Sequence, residues 1–266
     1  MDFKETPYWW EAAPRPTLHE KSVQKSCDVA IIGAGFAGLT AALILARAGR
    51  NVQVFDKQRP GEGASSRNGG IASGNIKMEF SAMVSAFGED AAKRIYAEGV
   101  AAREDLARFI EDEKIDCHFE MTGRFTGAYR PKHYDRLARE AEFLNKHLDL
   151  GAEVVVRANQ HKEVDTGLYH GGVVRPDIGG LHPGLLHQGI LDRALEAGVT
   201  VHGVTDVEGF LKDGDDFLIT TSRGTTKARD LLVCTNGYTG KTTPWLQRRI
   251  VPVPSQIIAT APLPTE

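Results

Sequence analysis

Six residues, Gly33-Ala34-Gly35-Phe36-Ala37-Gly38, constrain this chain more than any other stretch. They spell GxGxxG and lie between two apolar runs of different period. Cys27 to Ile32 is short and β-branched at three positions, as in a strand buried on both faces. Phe36 to Ala48 is apolar over a helical length and stops at Gly49. Asn51 to Phe55 returns to strand character and ends on an acid, Asp56, which lies 23 residues beyond Gly33. The pattern predicts a strand, a tight turn, a helix and a parallel second strand.

Each part of that motif has a physical reason. Gly33 permits the sharp exit from the strand. Gly35 lacks a side chain, so backbone can approach a diphosphate, and Gly38 lets the helix lie close on the sheet. A helix start carries unpaired N–H groups and about half a positive charge, both suited to a phosphate. Asp56 stands where a carboxylate accepts hydrogen bonds from ribose hydroxyls. A glycine turn without a ligand is the alternative, and strand, helix and acid together argue against it. NAD and FAD proteins share GxGxxG, so the motif alone does not choose between them.

Composition narrows the class. The chain has 266 residues, 41% hydrophobic and 25% charged, with a formal net charge of −3. That fits a globular protein with one large core or two unequal ones. The slight acidity gives no electrostatic reason to expect nucleic acid or an anionic membrane surface. Val29 to Ala46 is 18 residues without a charge, near the length that spans a bilayer. Three glycines and a change of period inside it favour a strand and a buried helix instead. Cys27, Cys117 and Cys234 are scattered, with no CxxC spacing, which predicts reduced thiols, no metal site and a cytoplasmic protein. Met1 to Pro16 carries charges and tryptophans but no apolar signal core.

Further along, Pro60 to Gly74 reads as a Gly/Ser/Asn loop. Glu89 to Glu113 reads as a helix with Ile95, Val100, Leu106, Phe109 and Ile110 on its buried side. Tyr134 to Leu150 predicts another helix, and Glu153 to Arg157 a strand. Ala158 to Leu181 is turn-rich and gives no clear element. Pro183 to Ala197 predicts a helix, Val199 to His202 a strand. Asp213-Gly214 and Ser222-Arg223-Gly224 turn two hairpins. Leu231 to Cys234 is a final buried strand running into Thr235-Asn236-Gly237-Tyr238.

One loop bears on the choice of dinucleotide. Gly63-Ala64-Ser65-Ser66-Arg67-Asn68-Gly69-Gly70 can offer hydroxyl, guanidinium and backbone donors to a diphosphate and a flavin edge. The GAGFAG turn, Asp56, this ASSRNGG loop, Leu181-His182-Pro183 and the late DLLVCTNGYTG strand come in the order found in the D-amino-acid oxidase family. The chain resembles that family across its length, most of all its γ-glutamylputrescine oxidoreductase-like members and the glycine and sarcosine oxidases.

The resemblance implies the α/β class, with a Rossmann-like FAD-binding domain interleaved with a mainly antiparallel substrate domain. Residues 1–115 and 183–243 would form the first, residues 116–182 and 244–266 the second. FAD is the implied cofactor. Gly33, Gly35, Phe36, Ala37, Gly38, Asp56 and Lys57 would hold it. Ser65, Arg67, Asn68 and Gly69 would line its pyrophosphate and flavin side. Val207, after the Thr205-Asp206 turn, would meet adenine through its backbone, and Asn236 and Gly237 would lie close by. The implied reaction is hydride transfer from an amine-bearing carbon to flavin, imine hydrolysis by water, and reoxidation by O2 to hydrogen peroxide. A small amine or amino acid is the implied partner.

Two departures qualify it. Family members commonly have Glu at the position of Asp56. They also run well beyond this length, so a C-terminal segment or subunit closing over the flavin is expected outside the sequence. The alternative is a truncated or split member that binds FAD, or merely folds, without catalysis. Ile250-Val251-Pro252-Val253 and Thr260-Ala261-Pro262-Leu263-Pro264 read as the start of a substrate-domain strand pair.

No side chain is assigned as catalytic acid or base. His182 opens a helix, where it either faces the cavity or hydrogen-bonds backbone. His118, His170 and His187 read as surface or structural, and Arg124, Arg130 and Arg175 as surface unless one pairs with a substrate carboxylate. Tyr8, Trp9 and Trp10 read as an arm packing on the core, and Tyr238 as a core or cleft aromatic.

Overall fold

The structure is a computed structural model that describes residues 4–261. In chain order its strands and α-helices begin with β1 (Ser26–Ile32), α1 (Phe36–Arg47), β2 (Val52–Phe55), β3 (Ile71–Ser73), α2 (Phe80–Phe87) and α3 (Glu89–Asp112). There follow β4 (Arg124–Gly127), α4 (Pro131–Leu148), β5 (Glu153–Val155), β6 (Gly172–Arg175), β7 (Ile178–Gly180) and α5 (Pro183–Glu196). The last are β8 (Thr200–His202), β9 (Val207–Asp213), β10 (Asp216–Thr221), β11 (Gly224–Val233) and α6 (Pro244–Gln247).

The described residues fall into two compact units. One comprises the chain up to Gly69, Ile115–Cys117, and everything from His182 onward. Its sheet has the order β8-β2-β1-β11-β10-β9. The first four strands are parallel, and β10 and β9 add an antiparallel edge. The early βαβ reading and both hairpin turns are present, and β11 is longer than the expected Leu231–Cys234 strand. β1 is buried on both faces, as an uninterrupted apolar strand must be. Ala30 and Ile32 join Phe55, Val207, Ile219 and Ala228 in one core cluster. Ile31 is fully buried and lies beside α1, where Leu39 and Leu43 are also fully buried. α1 packs on α5, whose Leu191 is equally sealed. Each such leucine contributes about 1.5–3 kcal/mol relative to exposure.

The second unit comprises Gly70–Lys114 and His118–Leu181. All its named strand pairs are antiparallel: β3 with β7, and β6 with both β4 and β5. Phe80, Met83, Ala92, Tyr96 and Leu144 form its main core cluster. A polar knot fastens α3 to the end of β6. The Arg175 guanidinium donates to both Asp177 carboxylate oxygens at 2.7 Å, and to Tyr96 Oη and Asn75 Oδ1 at 2.9 Å. Arg175 is therefore a structural, mostly buried residue and not a surface one.

Three further expectations change. Residues 70–114 group with the second unit, against the boundary set at 115, because α3 packs on α2 and β3. Ile95 is exposed; the buried positions of α3 are Ala92, Tyr96 and Ile110, so the apolar stripe runs through its neighbour. Residues 244–261 group with the first unit and form no strand; Val251, Val253, Ile257 and Ile258 are exposed. Pro252 and Pro254 cannot donate to a ladder, which works against a strand there. Pro262 to Pro264 of the expected pair lie outside the described residues. The turn-rich stretch 158–181 holds β6 and β7, too short and glycine-rich to show a period. Among the described residues no helix is long and apolar enough to cross a membrane.

Candidate dinucleotide site

The sheet reverses its winding at β1. β2 lies on one side of it and β11 on the other. In parallel α/β sheets a crevice opens at such a point, beyond the carboxyl ends of the strands. A cavity of about 390 Å³ lies there, lined by Ile32 and Gly33 from β1, Phe55 and Asp56 from β2, and Val233 and Cys234 from β11. Its volume falls within the range of ligand sites.

The glycine turn is built for close backbone approach. Gly33 has φ +109°, and a Cβ there would stand 2.6 Å from the Cys234 carbonyl oxygen. At Gly38 an added Cβ would collide with the Gly33 carbonyl, so this glycine lets α1 lie on β1. Gly35 is the N-cap of α1, and its added Cβ would meet only the Ser65 hydroxyl, at 2.8 Å. The turn's own donors are partly engaged. Ala34 N–H donates to Asp56 Oδ2 at 2.8 Å, and Phe36 N–H to Ser65 Oγ at 3.0 Å. Of the N–H groups expected to be unpaired at the helix start, that of Phe36 is therefore engaged. The first turn of α1 has no acidic side chain to repel an anion.

Asp56 accepts a second backbone bond, from Gln58 N–H at 2.9 Å. Burial pushes its carboxyl above the usual carboxylate range, and the Gln58 and Ala34 amides oppose that rise. The shorter acid thereby clamps the turn while its side chain still lines the cavity. Lys57, Ser65, Val207 and Asn236 line the cavity as well. Asn236 adopts φ +46° at the exit of β11. Thr242 Oγ donates to the Val207 carbonyl at 2.7 Å, so one of the two backbone groups of Val207 has a partner within the chain.

Ala37, Arg67, Asn68, Gly69 and Gly237 sit around the cavity without lining it. The Arg67 guanidinium donates to Tyr238 Oη at 3.1 Å, and Lys57 Nζ lies 5.8 Å from the same ring. Tyr238 is half-exposed and lines the cavity, the cleft alternative and not the core one. The Asn68 amide donates to Ala64 and Ser65 carbonyls, shaping the loop from within. Ala37 is exposed on the first turn of α1, Gly69 ends the loop, and Gly237 faces open space. His182 is the N-cap of α5, its Nδ1 accepting from Leu185 N–H at 3.1 Å. That is the backbone-bonded alternative.

Sequence reasoning missed what lies behind the turn. His187 is fully buried. Its Nε2 donates to the Ala34 carbonyl at 2.8 Å, and its Nδ1 accepts from Arg15 at 3.0 Å. The partners fix the tautomer, since a carbonyl only accepts and a guanidinium only donates. Burial lowers the ring's pKa to about 4, against 6.5 for a free imidazole, with the nearby Arg15 charge adding to that. No local sequence signal pairs residues this distant.

These features fit a dinucleotide: a cradle a single Cβ would spoil, a helix start free of acids, and a carboxylate at the end of the second strand. The sequence profile of the family described as FAD dependent oxidoreductase, DAO, matches residues 28–266. The chain belongs to this family. It is 30% identical over 253 residues to the gamma-glutamylputrescine oxidoreductase of Escherichia coli (strain K12), covering 93% of this chain and 57% of that protein. It is 29% identical over 262 residues to a probable oxidoreductase, OrdL, of Rhizobium meliloti (strain 1021), covering 96% and 60%. The glycine oxidase structure from Geobacillus kaustophilus superposes with a TM-score of 0.70 at 20% identity, over 84% of this chain and 59% of that one. The chain thus spans less than two thirds of the length of these relatives.

Proposed function

We propose that the first unit holds FAD, with the diphosphate at the start of α1 and a ribose at Asp56, as part of an oxidoreductase acting on a small amine or amino acid. The observation that carries this reading is the cavity at the carboxyl ends of β1, β2 and β11, with the glycine turn and Asp56 on its wall. When bound, FAD would supply the redox chemistry, that of a hydride acceptor for the amine-bearing carbon, with imine hydrolysis by water and reoxidation by O2 to hydrogen peroxide as the proposed completion. The chain's own contribution is placement. The first-turn amides Ala37 and Gly38 have no helical partner four residues back and offer donors to phosphate. Gly33 and Gly35 admit the ligand to the backbone, and Ser65, Arg67 and Asn68 form the loop that would face the diphosphate and flavin. Similarity to the gamma-glutamylputrescine oxidoreductase of Escherichia coli and the glycine oxidase of Geobacillus kaustophilus supports the choice of an amine or amino acid.

In a second reading the chain binds FAD without turning over substrate, since the groups around the cavity hold and position and include no assigned acid or base. One experiment separates the two. The purified protein is loaded with FAD, made anaerobic, and given a panel containing γ-glutamylputrescine, sarcosine, glycine and D-amino acids. Loss of the flavin absorbance near 450 nm with one compound is expected. A yellow protein that no amine bleaches supports the second reading, and a colourless one refutes both.

A further inference from the structure

Residues 8–15 precede β1 and play no part in the sheet, yet they reach the loop 61–68 and, through His187, the glycine turn. Tyr8–Trp10 is a single 3-10 turn. The Trp9 indole N–H donates to the Asn68 carbonyl at 2.9 Å. The Trp10 indole N–H donates to Ser66 Oγ at 2.7 Å, and Ser66 passes its own proton to the Gly61 carbonyl at 2.6 Å. Ser66 is fully buried. Its hydroxyl therefore closes the loop 61–68 on itself while the arm holds it from outside.

Five residues on, Arg15 is 5% exposed. It donates to the Ala13 and Gly184 carbonyls and to His187 Nδ1. His187 in turn donates to the Ala34 carbonyl inside the glycine turn. The Trp9 ring also packs edge-on against His182, the N-cap of α5, at 4.8 Å. Within the loop the bonds alternate. Ser66 and Asn68 are held by the arm, whereas Ser65 meets the start of α1 and Arg67 meets Tyr238 on the cavity wall.

We propose that residues 8–15 act as a strap that fixes the loop 61–68 and the glycine turn in the shape that receives the dinucleotide, with Trp9, Trp10 and Arg15 as positioning residues. The inference rests on the reading of the cavity as the FAD site. A loop left untied must be ordered by the ligand at the moment of binding, and that ordering cost weakens affinity. Holding Ser66 and Asn68 in advance removes it, without the strap touching the ligand.

The chain has three tryptophans: Trp9, Trp10 and Trp245. Trp245 is exposed, lies outside the cavity lining and packs on Arg249, so Trp245→Phe makes fluorescence report on the strap alone. In that background FAD should quench most of the remaining emission. Trp10→Phe keeps the ring and deletes the donor. It should raise the FAD dissociation constant by between about two- and tenfold, and the Trp9/Trp10 double change by more. In ligand-free protein the same variants should speed amide exchange at residues 61–68 and leave exchange in β1 unchanged. Ser66→Ala removes the acceptor from the other side and should do likewise, so a Trp10 variant that fails to fold does not end the test. Unchanged exchange at 61–68 together with unchanged affinity overturns the strap. A wild-type protein that takes up no FAD overturns the cofactor reading, while the exchange result still reports whether the arm orders the loop.

Discussion

Two alanine substitutions, three residues apart, should fail in opposite ways. At Gly38 a Cβ would collide with the backbone carbonyl of Gly33 and stand 3.3 Å from Ile31 Cγ2. Contacts under 3.0 Å are not tolerated, and the Gly33 carbonyl cannot rotate aside because Ala34 N–H, in the same peptide plane, is tied to Asp56 Oδ2 at 2.8 Å. α1 must then retreat from β1 by about an ångström or more. Such overpacking costs about 1–3 kcal/mol, and the better helix propensity of alanine returns at most about 1. Gly38→Ala should therefore lose about 1–2 kcal/mol of stability, with FAD affinity falling as the turn shifts. At Gly35 the added Cβ meets only Ser65 Oγ, at 2.8 Å, a hydroxyl that can turn aside at the cost of its bond from Phe36 N–H. Gly35→Ala should cost no more than about 1 kcal/mol, from a poorer N-cap and the loosened Ser65 bond, and weaken FAD binding at least tenfold by standing between backbone and diphosphate. Denaturant melts without ligand measure the first effect, and equilibrium dialysis with FAD measures the second. Equal loss of stability in both variants, or undiminished binding by Gly35→Ala, would refute this division of labour within the motif.

Other outcomes follow from the same geometry. The folded chain keeps His187 neutral down to about pH 4, whereas an unfolded chain takes up that proton near 6.5. Its contribution is fully present above pH 6.5 and is lost as pH falls through 4, up to roughly 3 kcal/mol. Denaturant melts from pH 7.5 to 4.5 should show a shallower fall in His187→Gln than in wild type, and parallel curves would count against it. Asp56→Ala frees the Ala34 and Gln58 amides and should weaken FAD binding at least tenfold, with roughly 1.5 kcal/mol per charge-assisted bond removed; dialysis against FAD checks this. Arg175→Met breaks the knot at Asp177 and Tyr96. It should cost the second unit about 2 kcal/mol, seen as faster amide exchange in α3 with FAD affinity unchanged.

The sequence exposed the first unit unevenly. β1, α1 and β2 were legible because one apolar run changes period at a glycine turn, and an acid closes the unit at the right distance. The hairpins of β9, β10 and β11 announced themselves through Asp-Gly and Arg-Gly turns. The second unit was harder. β3, β6 and β7 are three or four residues long and contain Gly172, Gly179 and Gly180, so pairing with distant strands defines them, not local propensity. Ile95 was misplaced because neighbouring Tyr96 carries the buried stripe of α3. The candidate site divides the same way. Gly33, Gly35, Gly38 and Asp56 were visible as spacing, whereas the bonds from Trp9, Trp10 and Arg15 span 56 to 172 residues, and no local pattern records such pairings.

The central claim is that a flavin dinucleotide rests at the carboxyl ends of β1, β2 and β11. A difference map from crystals of the protein grown with FAD would test it most directly. The account requires diphosphate density against the first turn of α1 and ribose density within hydrogen-bond reach of Asp56. Crystals with that crevice filled by the chain's own side chains, or with flavin bound elsewhere, would contradict it.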